Sequence, residues 1–270
     1  MSLFTNLLYQ VIYQSKVNYI LRNINYILSP LFLGKIKIPP SGTINLKTDS
    51  GNIKMATNQT SYLTQILFWN GYKSFEYSEI FESLCKNINH FLDIGSNIGY
   101  YSLLAVKSNP SIKAYAFEPA QGPKYYLKEN IKLNNFDNNI IHKNIALSNS
   151  SGNIDFYEVE NVKYTNLNYN LAGEGNAGTK TTSRNFIKTT VQSKTLHEFV
   201  KNENINSIDL IKIDTEGTEI DILNSGKASI IKFQPIIICE ILFKFGLIDS
   251  LTRVRSHLRR RNRLLLSCFS

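Results

Sequence analysis

After about residue 85 the chain alternates short apolar runs with segments of helical spacing, and this alternation restricts the fold more than any other feature. Each parallel strand needs a crossover back to its starting edge, so strand and helix in turn describe a parallel sheet covered by helices. The apolar runs are HFLDIG (90–95), IKAYAFEP (112–119), IIHKNIAL (140–147), SIDLIKID (207–214) and QPIIICEI (234–241). Between them, IGYYSLLAVKS (98–108), KYYLKENIKLNN (124–135), the later part of TTVQSKTLHEFVKNENI (189–205) and EIDILNSGKASII (219–231) have the period of amphipathic helices. NIDFYEV (153–159) alternates like a half-exposed strand. The expected class is α/β and Rossmann-like, a mostly parallel twisted sheet with helices on both faces.

A chain of 270 residues suits one main domain. The expected division is an N-terminal extension over 1–75, a main domain over 76–250 and an Arg-rich tail over 251–270. Within the extension, IKIPPSGTINLKTDSGNIKM (36–55) alternates weakly and predicts a small hairpin. The opening 34 residues mix Leu, Ile, Tyr and Phe with Asn, Gln, Lys and Arg, without the compact apolar core of a signal peptide. They predict an amphipathic helix that packs on its own domain or an oligomer partner; peripheral contact with a membrane is the second reading. No apolar run reaches the roughly 20 residues of a membrane span. Cys85, Cys239 and Cys268 are odd in number and widely spaced, so they suggest neither a disulfide framework nor a metal pair, and a reducing cytoplasm is the expected location.

The net charge of +9 invites a nucleic-acid reading, which its distribution confines to the C-terminal tail as a lesser alternative. Arg253, Arg255, Arg259, Arg260, Arg261 and Arg263 supply six positive charges after Ser250, so the rest carries only +3. Upstream the basic residues are nearly all Lys. The tail therefore reads as a frameshifted or truncated end, with a basic surface helix as the alternative, and no nucleic-acid partner is expected.

The first strand ends in D-I-G-S-N-I-G, Asp93 to Gly99. Gly95 and Gly99 permit a tight turn, and Asn97 tolerates unusual dihedrals. This is not the G-x-G-x-x-G of a dinucleotide site, and an acid at Asp93 disfavours a phosphate while favouring a cation. The pattern points away from NAD and toward S-adenosylmethionine, which carries an ammonium and a sulfonium. Glu118 closes the second strand about 20 residues later, where an acid can accept both ribose hydroxyls of an adenosine cofactor.

FLDIGSNIGYYSLLA, AFEP, NIALSNSSGNIDFY, TLHEF and DLIKIDTEGTEIDILNSG, in this order and spacing, resemble the FkbM family of S-adenosylmethionine-dependent methyltransferases. The resemblance runs from about Phe91 to Ile241. It implies a class I methyltransferase fold and O-methylation of a hydroxyl on a sugar, glycan or other secondary metabolite. It further implies that Asp93, Gly95, Asn97 and Gly99 line the methionine side of the cofactor, that Glu118 beside Pro119 holds the ribose, and that Asn144, Ile145 and Ala146 adjoin the adenine. Glu76 matches an acid that members carry ahead of the first strand. The class I sheet closes with a strand hairpin after its fifth strand, whereas only FKFGLIDS and the Arg-rich tail follow Ile241; either the sheet lacks its last strands or the native C-terminus is missing.

IKIDTEGTEI (211–220) gathers Asp214, Glu216 and Glu219 around Gly217. Asp214, at the end of the fourth strand, is expected to accept the proton of an attacking hydroxyl or to orient it. Glu216 is the second catalytic candidate. Glu219 is assigned to the helix start, where the dipole favours an acid. A metal would need Asp214 with Glu240, and nothing nearby strengthens that pair, so none is expected. Tyr100 and Tyr101 either cover the cofactor or pack in the core, His142 faces adenine or core, and His197 lies on a helix face. The Asn-, Gly- and Thr-rich run 163–183 reads as a lid over the acceptor or as a disordered loop. The expected partners are a small-molecule or glycan acceptor and a homo-oligomer mate. A non-catalytic cofactor-binding or scaffold protein is the alternative, and a nucleotide-dependent oxidoreductase the third reading.

Overall fold

A computed structural model describes residues 3–32, 36–164, 166–172, 185–240 and 264–267. Two helices open the chain, α1 (Leu3–Ile12) and α2 (Ser15–Leu28), followed by an antiparallel hairpin of β1 (Gly42–Thr48) and β2 (Gly51–Thr57). Helices α3 (Tyr62–Asn70) and α4 (Ser78–Cys85) lead into the alternating region. There β3 (His90–Ile94), α5 (Tyr100–Ser108), β4 (Lys113–Phe117), α6 (Gln121–Leu133) and β5 (Ile140–Lys143) follow in turn. The remainder comprises β6 (Ala146–Leu147), β7 (Gly152–Val159), β8 (Phe186–Lys194), α7 (Leu196–Asn202), β9 (Leu210–Ile213), α8 (Glu219–Ser225), α9 (Lys227–Phe233), β10 (Ile236–Glu240) and β11 (Leu264–Ser267).

The main sheet has the order β11-β10-β9-β3-β4-β5, with every neighbouring pair parallel. The chain builds outward from β3 to β5, then returns to lay β9 on the other side of β3, so the order reverses between β3 and β9. Clefts beyond the carboxyl ends of the strands at such a reversal bind ligands. Phe91, Leu210 and Ile238 face α4, α5, α6 and the hairpin, whose Ile44, Leu46, Ile53 and Met55 belong to the same core. Leu92, Ile94, Ile211, Ile213, Ile237 and Cys239 face α7, α8 and α9. Burial on both faces explains why these strands read as unbroken apolar runs.

Two elements differ from the sequence expectation, and a third, the expected half-exposed strand, finds its sheet only in the structure. IIHKNIAL is two strands: β5 stays in the main sheet, while β6 pairs with β8 in a second sheet of order β6-β8-β7. NIDFYEV, within β7, joins that second sheet and runs antiparallel to β8. EIDILNSGKASII is two helices meeting at Gly226, where an added Cβ would lie 2.4 Å from Leu196 Cδ2. After β10 the closing antiparallel hairpin does not occur among the described residues; the backbone of β11 instead adds a short parallel edge strand. Most of the Arg-rich tail lies outside the described residues.

The α2 helix reverses the expected orientation of an amphipathic segment. Its polar residues point inward: Arg22 donates to Asn18 Oδ1 at 3.1 Å, to the Ser41 carbonyl at 2.8 Å and to the Thr43 carbonyl at 2.6 Å. Asn25 accepts from the Ile38 amide at 2.8 Å and donates to the Ile36 carbonyl at 3.1 Å. The segment leading into β1 offers unpaired backbone groups rather than apolar side chains, and buried backbone groups need polar partners. Tyr19, Ile20, Ile24 and Ile27 are left facing outward.

Candidate functional site

A two-lobed cleft opens at the carboxyl ends of β3, β4 and β9. Its first lobe is lined by Gly95, Glu118, Pro119, Ala146, Leu147 and Phe156, its second by Glu76, Tyr62, Tyr100, Tyr101, Leu171 and Lys212. Asn97, Asp214 and Glu216 line both and so mark the junction. The two catalytic candidates read from the sequence therefore share one point, with five of the ten cofactor candidates on the first-lobe side or at the junction: Gly95, Asn97, Glu118, Pro119 and Ala146.

The floor of the cleft is a tight crossing of two strand ends. Gly95 has φ +73°, and a Cβ there would lie 1.8 Å from the Asp214 carbonyl oxygen, so only glycine permits the approach. The Asp214 amide donates to the Ile94 carbonyl at 3.0 Å, which ties the two loops together. Among the described residues six non-glycine positions have positive φ, and three of them, Glu76 (44°), Asn97 (51°) and Glu216 (59°), line this cleft. Backbone held in that sparsely populated region collects where function requires it.

Glu118 is buried at the rim of the first lobe. One carboxylate oxygen accepts from the Asn97 amide at 2.9 Å, the other from the Ala120 amide at 2.8 Å. Burial pushes its pKa up to about 7, against the pull of those two amides. Each oxygen keeps a further lone pair, which suits two adjacent hydroxyl donors.

Under the junction lies a residue the sequence reading missed. Lys212 is buried on β9, its ammonium 2.8 Å from the Gly95 carbonyl oxygen, 3.3 Å from Asp214 and 3.6 Å from Asp93. Burial opposes its charge, yet Asp214 and then Asp93 outweigh that effect and hold its pKa above the ordinary lysine value. The ammonium also lies 5.5 Å from the centre of the Tyr101 ring, whose hydroxyl donates to Glu76 at 2.7 Å. Burial, foremost, raises the Glu76 carboxyl above its usual range. The signal for Lys212 was a lysine between isoleucines in a strand buried on both faces, where a charge has no solvent side to reach.

Four further cofactor candidates lie outside the first lobe. Asp93 does not line the cleft: it is fully buried, accepts from the Ser102 amide at 3.1 Å and hydroxyl at 2.6 Å, and faces Lys212 across the β3–β9 register. Gly99 caps α5 at φ +89°, against Leu127 rather than the lobe. Asn144 is exposed and outside the lining, which continues instead through Ile145 to Ser148. Tyr100 borders the second lobe, but its hydroxyl is buried on Ser78 at 2.8 Å.

Glu219 sits where the sequence reading put it, at the helix start. One oxygen accepts from the Thr215 amide and hydroxyl, both at 3.0 Å, and from the Gly217 amide at 2.9 Å. His197 meets Ser229 at 2.9 Å on the far side of the sheet, and His142 on β5 is outside both lobes. The side chain of Glu240 lies outside the described residues, as do residues 165 and 173–184 of the loop. The described part of that loop is packed: Leu171 is buried, its amide bonded to Thr60 at 2.8 Å, and Tyr169 stacks on Tyr125 with centroids 4.0 Å apart.

Residues 93–265 match the family model described as Methyltransferase FkbM domain. A curated relative, Methyltransferase sdnD of Sordaria araneosa, is 29% identical over 174 residues, covering 55% of this chain and 67% of that protein. Among solved structures, the methyltransferase FkbM from Methylobacillus flagellatus KT aligns with a TM-score of 0.43 and 13% identity over 62% of this chain. A SAM-dependent methyltransferase from Agrobacterium tumefaciens aligns at 0.37 with 11% identity over 85% of it. This chain spans only 37% and 54%, respectively, of those two.

Proposed function

This chain belongs to the FkbM methyltransferase family, and from that premise we propose that it transfers a methyl group from S-adenosylmethionine to a hydroxyl of a sugar, glycan or other secondary metabolite. The observation that carries the reading is the position of Asp214 and Glu216 at the junction of the two lobes.

The side chains fit the cofactor. Glu118 offers a buried carboxylate to a ribose diol, and the apolar walls from Pro119, Ile145, Leu147 and Phe156 suit a flat purine. The acids at the junction suit a ligand bearing an ammonium and a sulfonium. When bound, S-adenosylmethionine supplies an electrophilic methyl group. The chain's own task is then to hold the acceptor oxygen and take its proton. A sugar hydroxyl has a high pKa, so a carboxylate that accepts its hydrogen bond both orients the oxygen and receives the proton. Asp214 fills that role, with Lys212 at 3.3 Å fixing its carboxylate, and Glu216 serves as the second acid. Asp93 acts through Lys212 as a positioning residue. Leu171, buried and lining the second lobe, offers an apolar wall beside the acceptor. Cys85 and Cys239 are buried and widely spaced in the chain, which suits a reducing cytoplasm.

The test is mass spectrometry of hydroxyl-bearing glycans and small metabolites incubated with methyl-labelled S-adenosylmethionine. The expected product gains one labelled methyl on oxygen, and Asp214→Asn lowers turnover by about 100-fold while keeping cofactor affinity. Label on an amine, or full turnover by Asp214→Asn, contradicts the assignment.

A further inference from the structure

The N-terminal helices expose what amphipathic helices ordinarily bury. On α2, Ile20, Ile24 and Ile27 are 57%, 50% and 75% exposed, and Leu31 just beyond it is 77% exposed. These positions follow a helical stripe, while the opposite face spends Asn18, Arg22 and Asn25 on the protein's own backbone. On α1, Phe4, Leu7, Leu8 and Val11 form a second stripe with the spacing of one helix face, all exposed. Contiguous exposed apolar surface of this kind marks an interaction site.

Charge identifies the partner. From residue 1 to 48 the chain contains Lys16, Arg22, Lys35, Lys37 and Lys47 and not one Asp or Glu. Arg22 is buried on the inward face, but Lys16 on α2 and Lys47 on β1 are exposed with no acid in the segment to offset them, so a second copy would bring like charges together, and the Arg-rich tail of the chain is also basic. An anionic lipid surface offers both an apolar interior and the opposite charge. Tyr19 and Tyr26, each more than half exposed, lie among these stripes, and an aromatic ring with a polar tip suits the headgroup level. No helix among the described residues is long and apolar enough to cross a membrane. We propose that α1 and α2 form a docking surface by which this protein lies on an anionic bilayer, with Ile20, Ile24 and Ile27 inserted at the boundary between headgroups and acyl chains. A methyltransferase held there works beside acceptors that are themselves membrane-bound.

The experiment is vesicle co-sedimentation of the full chain. Vesicles of phosphatidylcholine with about 30% phosphatidylglycerol are compared with phosphatidylcholine alone. The wild type is expected to bind the anionic vesicles at least about tenfold more tightly than the neutral ones. The triple variant Ile20→Ser, Ile24→Ser, Ile27→Ser, which alters only exposed side chains, is expected to lose that binding while cofactor affinity, read by calorimetry, stays as in the wild type. Failure of the wild type to sediment with anionic vesicles overturns the proposal, as does equal binding by the triple variant. A wild-type dimer that the triple variant dissociates, without lipid binding, overturns it in favour of self-association. Because cofactor affinity is read separately, a negative result here leaves the methyl-transfer reading standing, and the reverse also holds.

Discussion

Two buried cations do opposite things in this molecule. Lys212 sits between Asp93 and Asp214, and the carboxylates raise its pKa in spite of burial. Arg22 is equally buried, but its hydrogen bonds go to an amide oxygen and two backbone carbonyls, and burial lowers its pKa. A cation paired with carboxylates has its charge compensated within a rigid knot and can aim one of those acids into a cleft. A cation paired with carbonyls fastens a helix and leaves its positive charge uncompensated. The first device belongs to the site, the second to the surface around α1 and α2.

The largest effect is expected from Lys212→Met. Removing one partner leaves Asp93 buried without its counter-charge, so denaturant unfolding should report a loss of about 3–5 kcal/mol, with cofactor binding lost as well. A loss under about 1 kcal/mol would show that Asp93 and Asp214 do not depend on the ammonium. Arg22→Met should cost roughly 2–3 kcal/mol, because the Ser41 and Thr43 carbonyls lose their charged donor. That loss should be local: hydrogen exchange accelerates in α1 and α2, while S-adenosylmethionine affinity, read by calorimetry, is unchanged. Asp93→Asn should cost about 2 kcal/mol and shift the pH profile of turnover, since Lys212 then answers to Asp214 alone. An unchanged pH profile would leave Asp93 a purely structural residue.

The smallest effect is a pH dependence at Glu118. Its pKa of about 7 lies above the ordinary carboxylate range, so the free site is partly protonated near neutrality. Ribose hydroxyls donate to the ionised form, so cofactor binding should strengthen as pH rises through 7, by about tenfold between pH 6 and 8. Glu118→Gln should abolish the slope, and a slope that persists would place the titrating group elsewhere.

The parallel core was legible because strands buried on both faces leave short apolar runs stopped by Gly, Asp or Pro, as at HFLDIG and AFEP. The second sheet was not, because β7 finds its partner across the 160–185 segment and alternation does not say which sheet a strand joins. Gly95, Glu118 and Asp214 were legible from glycine spacing and strand-end acids. The burial of Asp93 was not legible, since a strand-end acid reads alike whether it faces a ligand or a buried lysine. For α2 the apolar stripe was visible, but its direction depended on the unpaired backbone of the segment leading into β1, which no periodicity records.

Calorimetric titration of S-adenosylmethionine into the wild type, Glu118→Ala and Asp214→Asn most directly tests the site. Cofactor binding by Glu118 in the first lobe predicts saturable binding by the wild type, at least about tenfold weaker binding by Glu118→Ala, and affinity within about threefold of wild type for Asp214→Asn. Equal affinity in all three proteins, or no binding by the wild type, would contradict it.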